Sequence, residues 1–133
     1  MALVEEIIKQ CDNIPIYVHT CGGIGDRVDL MIQSGFDGID TLDPPPLGTV
    51  ELKQAVEETK GHVFIKGNID LVHTLLLGDK EMVKDAVGNR LSIAKPGGGY
   101  ILSTVCSVAP PTKPELLEYM VGRVHEIGCY DVD

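Results

Sequence analysis

Basic residues are scarce in this sequence, and long apolar runs are missing. Eleven Lys and Arg residues stand against 20 Asp and Glu, so the formal net charge is -9 at pH 7. A chain this acidic offers no surface for a phosphate backbone, and we expect no nucleic acid partner. No apolar run approaches the ~20 residues of a bilayer-spanning helix, and the acidic N-terminus MALVEEIIKQ is unlike a secretory signal. We therefore expect a cytoplasmic protein without a membrane partner.

Cysteine is also infrequent, with four residues at positions 11, 21, 106 and 129. In the cytoplasm, metal binding or plain burial is a commoner use of cysteine than a disulfide. The 133 residues, 44% of them hydrophobic, are enough for one sizeable core, so we expect a single domain over residues 1–133.

Short apolar runs rich in Val and Ile alternate with stretches of helical periodicity. The predicted strands cover 14–19, 36–42, 62–66 and 100–104, and the predicted helices cover 2–11, 24–34, 49–60, 70–90 with a break at Gly78, and 114–128. This repeated alternation predicts right-handed βαβ crossovers, and hence an α/β fold with a parallel sheet and helices packed outside it.

The segment IPIYVHTCGG ends the first predicted strand with a histidine and a cysteine. Because side chains alternate along a strand, His19 and Cys21 project to the same side if the strand continues through Thr20. Cys106 follows the fourth predicted strand. Active groups of parallel α/β folds gather at the carboxyl ends of strands, so these three side chains are able to converge.

One imidazole and two thiolates are ligands that zinc prefers in a tetrahedral site, and three ligands leave one position open. Two thiolates balance the charge of the ion, which makes it a weaker Lewis acid toward water than zinc held by neutral histidines. Such a site suits a thiol substrate that attacks an electrophilic carbon. The alternative is that the cysteines are small core residues, which is a common role for buried cysteine.

Asn68 and Asp70 follow the third predicted strand, on the same side of the sheet as the His19 segment. One interpretation is that they bind substrate or orient a zinc ligand. The other is that Asn68 forms a tight turn and Asp70 caps the next helix. Asp40 and Asp43 end the second predicted strand near the same mouth, with Asp43 expected in the proline-rich turn DPPPLG.

Four segments resemble, in order, the C-terminal half of the uroporphyrinogen decarboxylase family. They are PIYVHTCGG, GFDGIDTLD, IKGNIDLVHTLLLGDKEMVKDAV and GGGYILSTVCSVAPPTKPELLEYM. The most specific are the GNID tetrapeptide at 67–70 and the block at 97–114. The family includes decarboxylases that act on a porphyrinogen, and zinc-dependent methyltransferases that pass a methyl group from a corrinoid protein to a thiol such as coenzyme M. The resemblance to the methyltransferase branch implies that His19, Cys21 and Cys106 are zinc ligands.

The resemblance also implies a TIM barrel, of which this chain supplies four of the eight βα units. The substrate-gripping arginine and aspartate residues of the decarboxylases belong to the N-terminal half of the family, which this sequence does not contain. We therefore expect a zinc-dependent methyltransferase-like protein, or half of one, with a small thiol substrate and a corrinoid on a partner protein. A tetrapyrrole-binding decarboxylase relative and a non-catalytic half-barrel subunit are the alternatives.

Half a barrel leaves two sheet edges and one sheet face uncovered. Unpaired strand edges and exposed apolar faces favour association with another chain. We therefore expect self-association or pairing with a separate N-terminal half-barrel.

Overall fold

The computed structural model describes residues 2–11 and 14–130, which contain a four-stranded parallel sheet. Its strands, in spatial order, are β1 (Tyr17–Thr20), β2 (Gly38–Thr41), β3 (Phe64–Ile69) and β4 (Tyr100–Thr104). Each strand pairs in parallel with its neighbour in sequence. The predicted α/β architecture is therefore confirmed.

Helices precede, connect and follow the strands. They are α1 (Ala2–Gln10), α2 (Val28–Gln33), α3 (Leu52–Thr59), α4 (Lys80–Ala94) and α5 (Pro114–Ile127), with 3-10 turns at Gly25–Arg27 and Lys95–Gly97 and a π-helical segment at Leu71–Leu76. In the part of the chain that the structure describes, no helix is both long and apolar enough to cross a membrane.

The predicted helix over 70–90 is interrupted at Gly78, as expected. A Cβ atom at Gly78 would lie 2.1 Å from the carbonyl oxygen of Thr74, so only glycine fits this close approach. Asp79 then begins α4 by accepting a hydrogen bond from the backbone N–H of Met82 at 3.0 Å. α4 continues to Ala94, beyond the predicted end.

The third strand differs from its prediction. β3 runs to Ile69 because Asn68 and Ile69 pair with Ser103 and Thr104 of β4. Asn68 therefore lies within the strand, and the expectation that it directly follows the strand was wrong. Glycine and asparagine are typical of turns, and the pairing with β4 overrides that local tendency.

One face of the sheet packs against the helices and forms the core. Ile39 and Ile65, which are neighbours on β2 and β3, are at most 2% exposed and belong to one cluster with Val83 and Val87 of α4. These four side chains are nearly or completely removed from water, so this face contributes strongly to the stability of the fold.

The opposite face, which we call the open sheet face, carries Tyr17, Phe64, Lys66 and Ile101. Tyr17 and Ile101 are 46% and 51% exposed. The rings of Tyr17 and Phe64 pack edge to face with centroids 5.9 Å apart, and Lys66 Nζ lies 5.6 Å from the centroid of Tyr17. Gly38 lies between the two aromatic residues because a Cβ there would overlap the Phe64 ring at 2.4 Å.

Candidate metal centre

Three potential metal ligands converge at the carboxyl ends of β1 and β4. His19 Nε2 lies 3.4 Å from Cys21 Sγ and 3.9 Å from Cys106 Sγ. The ligand atoms of the three residues all lie within 4.8 Å of one another. The structure thus brings together the three side chains that the sequence pattern singled out as metal ligands, although Cys21 and Cys106 follow the two edge strands of the sheet.

Local contacts hold the two cysteine segments in place. After β1, Gly22 adopts a φ of 89°, and its N–H donates a hydrogen bond to Asp43 Oδ2 at 2.5 Å. After β4, the N–H of the buried Val105 donates to Ile69 O at 3.0 Å. Thr104 Oγ1 donates to the carbonyl oxygen of Cys106 at 2.7 Å. Both cysteines therefore lie on short segments that are fixed to the ends of the sheet.

The ring of His19 is oriented by the next strand. His19 Nδ1 lies 2.9 Å from Asp40 Oδ2 and 3.0 Å from Thr41 Oγ1. Since an ionised carboxylate only accepts hydrogen bonds, the contact assigns the proton of neutral His19 to Nδ1 and leaves Nε2 free to bind a metal. The hydrogen bond to Asp40 is also the main cause that raises the pKa of His19.

Asp40 is itself held by a cation. Lys66 Nζ lies 3.0 Å from both carboxylate oxygens of Asp40, whose side chain is 7% exposed. Buried charges are normally paired. Here the Asp40 carboxylate contacts both the Lys66 ammonium and the His19 ring. Carboxylates in this position commonly orient a metal-binding histidine.

The two thiols differ in acidity. A hydrogen bond from the Ser107 backbone N–H, followed by the His19 side chain, lowers the pKa of Cys106. Partial removal from water, followed by the hydrogen bond with Cys106, raises the pKa of Cys21. Cys106 is therefore the more readily ionised of the two in the absence of a metal.

The donor set fits zinc. Typical Zn–N and Zn–S bonds in a tetrahedron place nitrogen and sulfur ligands about 3.5 Å apart and two sulfurs about 3.8 Å apart. The His19 to cysteine distances of 3.4 and 3.9 Å are close to these values. Cys21 is exposed and Cys106 is partly exposed, so both are accessible to an ion from solution.

A cavity of about 270 Å³ adjoins the site. It is lined by His19, Asp40, Lys66 and the segment 103–107, which includes Cys106. The cavity thus brings a solvent-accessible space directly to one of the candidate ligand sulfurs. A small molecule in this space would contact serine and threonine side chains as well as the charged pair of Asp40 and Lys66.

Asn68 and Asp70 make internal contacts. Asn68 is fully buried, donates to Leu42 O at 2.8 Å and accepts from Arg90 Nε at 3.0 Å. Asp70 caps the π-helical segment by accepting from the N–H groups of Val72 and His73, both at 2.8 Å. Asp70 therefore has the capping role that was one of its two interpretations, and substrate contact by either residue stays a prediction.

The electrostatics of Asp70 follow from these contacts. Burial favours the neutral carboxyl, but hydrogen bonds from the backbone and side chain of His73 outweigh it and lower the pKa of Asp70. His73 Nδ1 lies 2.6 Å from Asp70 Oδ2.

Sequence reasoning missed the role of Lys66 and assigned the orienting of a zinc ligand to Asn68 or Asp70. In the structure Asp40 has the contact with His19, and His19, Asp40 and Lys66 are neighbours in register across three strands. The available signal was a polar or charged residue within each of three short apolar strands. Their alignment depends on strand register, which the sequence pattern does not specify.

Comparisons with known proteins bear on the family and the fold of this chain. The sequence model described as "Uroporphyrinogen decarboxylase (URO-D)" matches residues 1–127. Curated relatives called uroporphyrinogen decarboxylase include one from Thermobifida fusca, 28% identical over 110 residues (81% of this chain, 28% of the relative). Two others are from Ralstonia pickettii, 29% identical over 133 residues (95% and 34%), and Cupriavidus pinatubonensis, 34% identical over 115 residues (84% and 30%). The chain spans about a third of the length of the curated relatives it matches.

A solved structure, described as a methyltransferase from Methanosarcina mazei, has the same fold over this region. The likeness has a TM-score of 0.77 at 21% sequence identity and covers 96% of this chain and 35% of the other. At this identity the likeness establishes the fold alone. The four βα units thus have the fold of about a third of a larger TIM-barrel-type structure.

Proposed function

The chain belongs to the uroporphyrinogen decarboxylase family, and from this premise we propose that it is a zinc-dependent methyltransferase-like protein, or half of one. In this proposal His19, Cys21 and Cys106 hold zinc and activate a thiol for methyl transfer. The observation that carries it is the convergence of one imidazole nitrogen and two thiol sulfurs within 4.8 Å. Sulfur-rich donor sets of this kind favour zinc over magnesium or calcium.

Each residue of the site has a distinct task. Cys21 and Cys106 supply thiolates, and His19 supplies Nε2 while Asp40 fixes its ring through Nδ1. Lys66 neutralises Asp40 and holds it beside His19. Zinc bound by this set would supply a Lewis acid that ionises a substrate thiol and keeps its sulfur nucleophilic.

The substrate in this proposal is a small thiol, and the methyl donor is a corrinoid or similar carrier on a partner protein. The cavity of about 270 Å³ beside Cys106 supports a small acceptor, because its volume is slightly below the ~300–1,000 Å³ of typical ligand pockets. The donor rests on the resemblance of the HTC and VCS segments to the methyltransferase branch.

The site needs the rest of a barrel around it, and we propose that a separate N-terminal half-barrel or a second copy of this chain supplies it. The open sheet face exposes Tyr17 and Ile101, and β1 and β4 form the edges of the sheet. Closing the barrel would cover both.

A decarboxylase-like protein that binds a tetrapyrrole is the second candidate. It is favoured by the curated relatives, which carry the name uroporphyrinogen decarboxylase at 28–34% identity. This candidate predicts porphyrin binding that is independent of zinc and persists in a Cys106→Ser variant. A non-catalytic half-barrel subunit that packs against a separate N-terminal half is the other alternative, and it predicts no turnover by this chain alone and activity only after the partner is added.

Metal analysis tests the leading proposal. We expect about one zinc per chain in protein purified in reducing buffer, and little in the Cys21→Ser and Cys106→Ser variants. Cys129→Ser is the matched control, because Cys129 is also an exposed free cysteine but lies outside the three-residue cluster. Absence of metal from folded parent protein after zinc is offered would refute the zinc-dependent function.

A further inference from the structure

Cys21 and Cys106 lie close enough to react with each other. Their Sγ atoms are within 4.8 Å, and both residues are free thiols with access to solvent. A disulfide has an S–S bond of about 2.05 Å, so the two sulfurs must approach by less than about 3 Å. Rotation about χ1 of either cysteine moves its sulfur without moving the backbone, so part of this approach needs only a change of rotamer.

Both cysteines lie just outside regular structure. Cys21 follows β1, which ends at Thr20, and Cys106 lies two residues beyond the end of β4 at Thr104. A covalent link between them therefore joins two residues that take no part in strand pairing. The other two cysteines lie outside the three-residue cluster. Cys11 directly follows α1, and the thiol of Cys129 lies 3.8 Å from the carbonyl oxygen of His125.

We propose that Cys21 and Cys106 form an oxidation site, in which a peroxide converts the two thiols into a disulfide. One thiolate attacks a peroxide oxygen, the O–O bond breaks, and a sulfenic acid and hydroxide form. The second thiolate attacks the sulfenic sulfur, the S–S bond forms and the S–O bond breaks, releasing a second hydroxide. The two thiol protons convert both hydroxides to water, so one H₂O₂ and two thiols yield one disulfide and two waters.

The disulfide has two consequences for this molecule. It joins the segments that follow the two edge strands, and its two cysteines are 85 positions apart in the chain (106 − 21). It also uses both sulfurs of the cluster, so an oxidised chain has only His19 left of the three metal-binding groups. Oxidation and metal binding at this site therefore exclude each other.

The test treats metal-free protein with one equivalent of hydrogen peroxide and then maps its peptides. Trypsin, which does not cleave before proline, yields peptides 10–27 with Cys21 and 91–123 with Cys106. A Cys11→Ser/Cys129→Ser chain contains only the two cysteines of interest. We expect it to lose two thiols and to give one linked pair of these peptides, while adding Cys106→Ser abolishes the link.

The parent chain is treated in the same way, so the result does not depend on the folding of a variant. Fragmentation of peptide 10–27 then separates Cys21 from Cys11 as the linked residue. Two oxidised but unlinked cysteines, or a link through Cys11 or Cys129, would overturn the proposal. Zinc binding is measured separately: a linked pair without zinc affinity refutes only the zinc-dependent function, and zinc affinity without a linked pair refutes only the oxidation site.

Discussion

His19 Nδ1 lies 2.9 Å from Oδ2 of Asp40, its neighbour in register on the adjacent strand. Through this contact, a buried carboxylate on β2 determines which nitrogen of a β1 histidine faces the two thiols. The candidate ligand set is therefore oriented by the sheet itself and not only by the loops that carry the cysteines.

Asp40→Asn should weaken zinc binding by about 10–100-fold, the usual effect of losing a partner that orients a metal-binding histidine. The amide is neutral and can donate a hydrogen bond to Nδ1 as well as accept one from it. The variant side chain would therefore no longer select the tautomer of His19 that carries its proton on Nδ1. Competition with a chromophoric chelator measures the affinity. Asp29→Asn, at an exposed position on α2, should leave it unchanged, and equal affinities for all three proteins would argue against the role of Asp40.

Lys66→Met should destabilise the fold by about 1–3 kcal/mol, because it leaves the buried Asp40 carboxylate without its cation. Urea unfolding followed by circular dichroism measures the change. Lys84→Met is the control, since Lys84 pairs with Glu81 on the exposed surface of α4 and such pairs contribute at most about 1 kcal/mol. Similar losses in both variants would contradict the buried pair.

Gly78→Ala should destabilise the protein by about 1–3 kcal/mol, because the new Cβ would lie 2.1 Å from Thr74 O and force the backbone to move. Gly88→Ala should instead stabilise the protein. Gly88 lies within α4 with open space around it, and alanine is favoured over glycine there by about 0.5–1 kcal/mol. Thermal unfolding of the two variants compares them directly, and a stabilising Gly78→Ala would contradict the close approach.

Asp70→Ala should cost about 0.5–2 kcal/mol at pH 7, the usual value of a helix cap. The folded pKa of Asp70 is lowered, so its contribution is complete above the unfolded pKa of about 3.9 and is lost as pH falls toward the folded pKa. The parent and variant should therefore converge in stability in acid. Urea midpoints between pH 3 and pH 7 test this, with the exposed Asp85→Ala as a variant whose difference from the parent stays small throughout.

Ile101→Lys should weaken self-association or binding of an N-terminal half-barrel by at least about tenfold, because it places a charge at an exposed apolar position of the open sheet face, on the edge strand β4. Val121→Lys provides a control on α5, since Val121 and Ile101 are both 51% exposed. Sedimentation equilibrium measures the association. Loss of association in both variants would point to a different interface.

The sequence was most informative where local pattern and tertiary structure agree. β4 covers the predicted residues 100–104 because a glycine-rich turn precedes an apolar run that pairs along its whole length. The convergence of His19, Cys21 and Cys106 could be predicted from two rules. Side chains alternate along a strand, and the carboxyl ends of parallel strands lie on the same side of the sheet.

Features that depend on strand register or packing could not be predicted from the sequence in the same way. Asn68 and Ile69 extend β3 because β4 lies beside them. Lys66 and Asp40 become partners because β2 and β3 align them. No local sequence pattern indicates either relationship, so both could be identified only from the three-dimensional structure.

The positions of His19, Cys21 and Cys106 within one run of four βα units also bear on how this part of the protein can change over time. Since the whole cluster lies on the first and last strands of the run and the residues directly after them, a gene segment that encodes these units transmits the cluster intact. Recombination with a different companion segment would alter what surrounds the site without dismantling it. If the cluster binds zinc as proposed, its metal ligands and the groups that a companion segment would bring to a substrate are in this sense separately heritable.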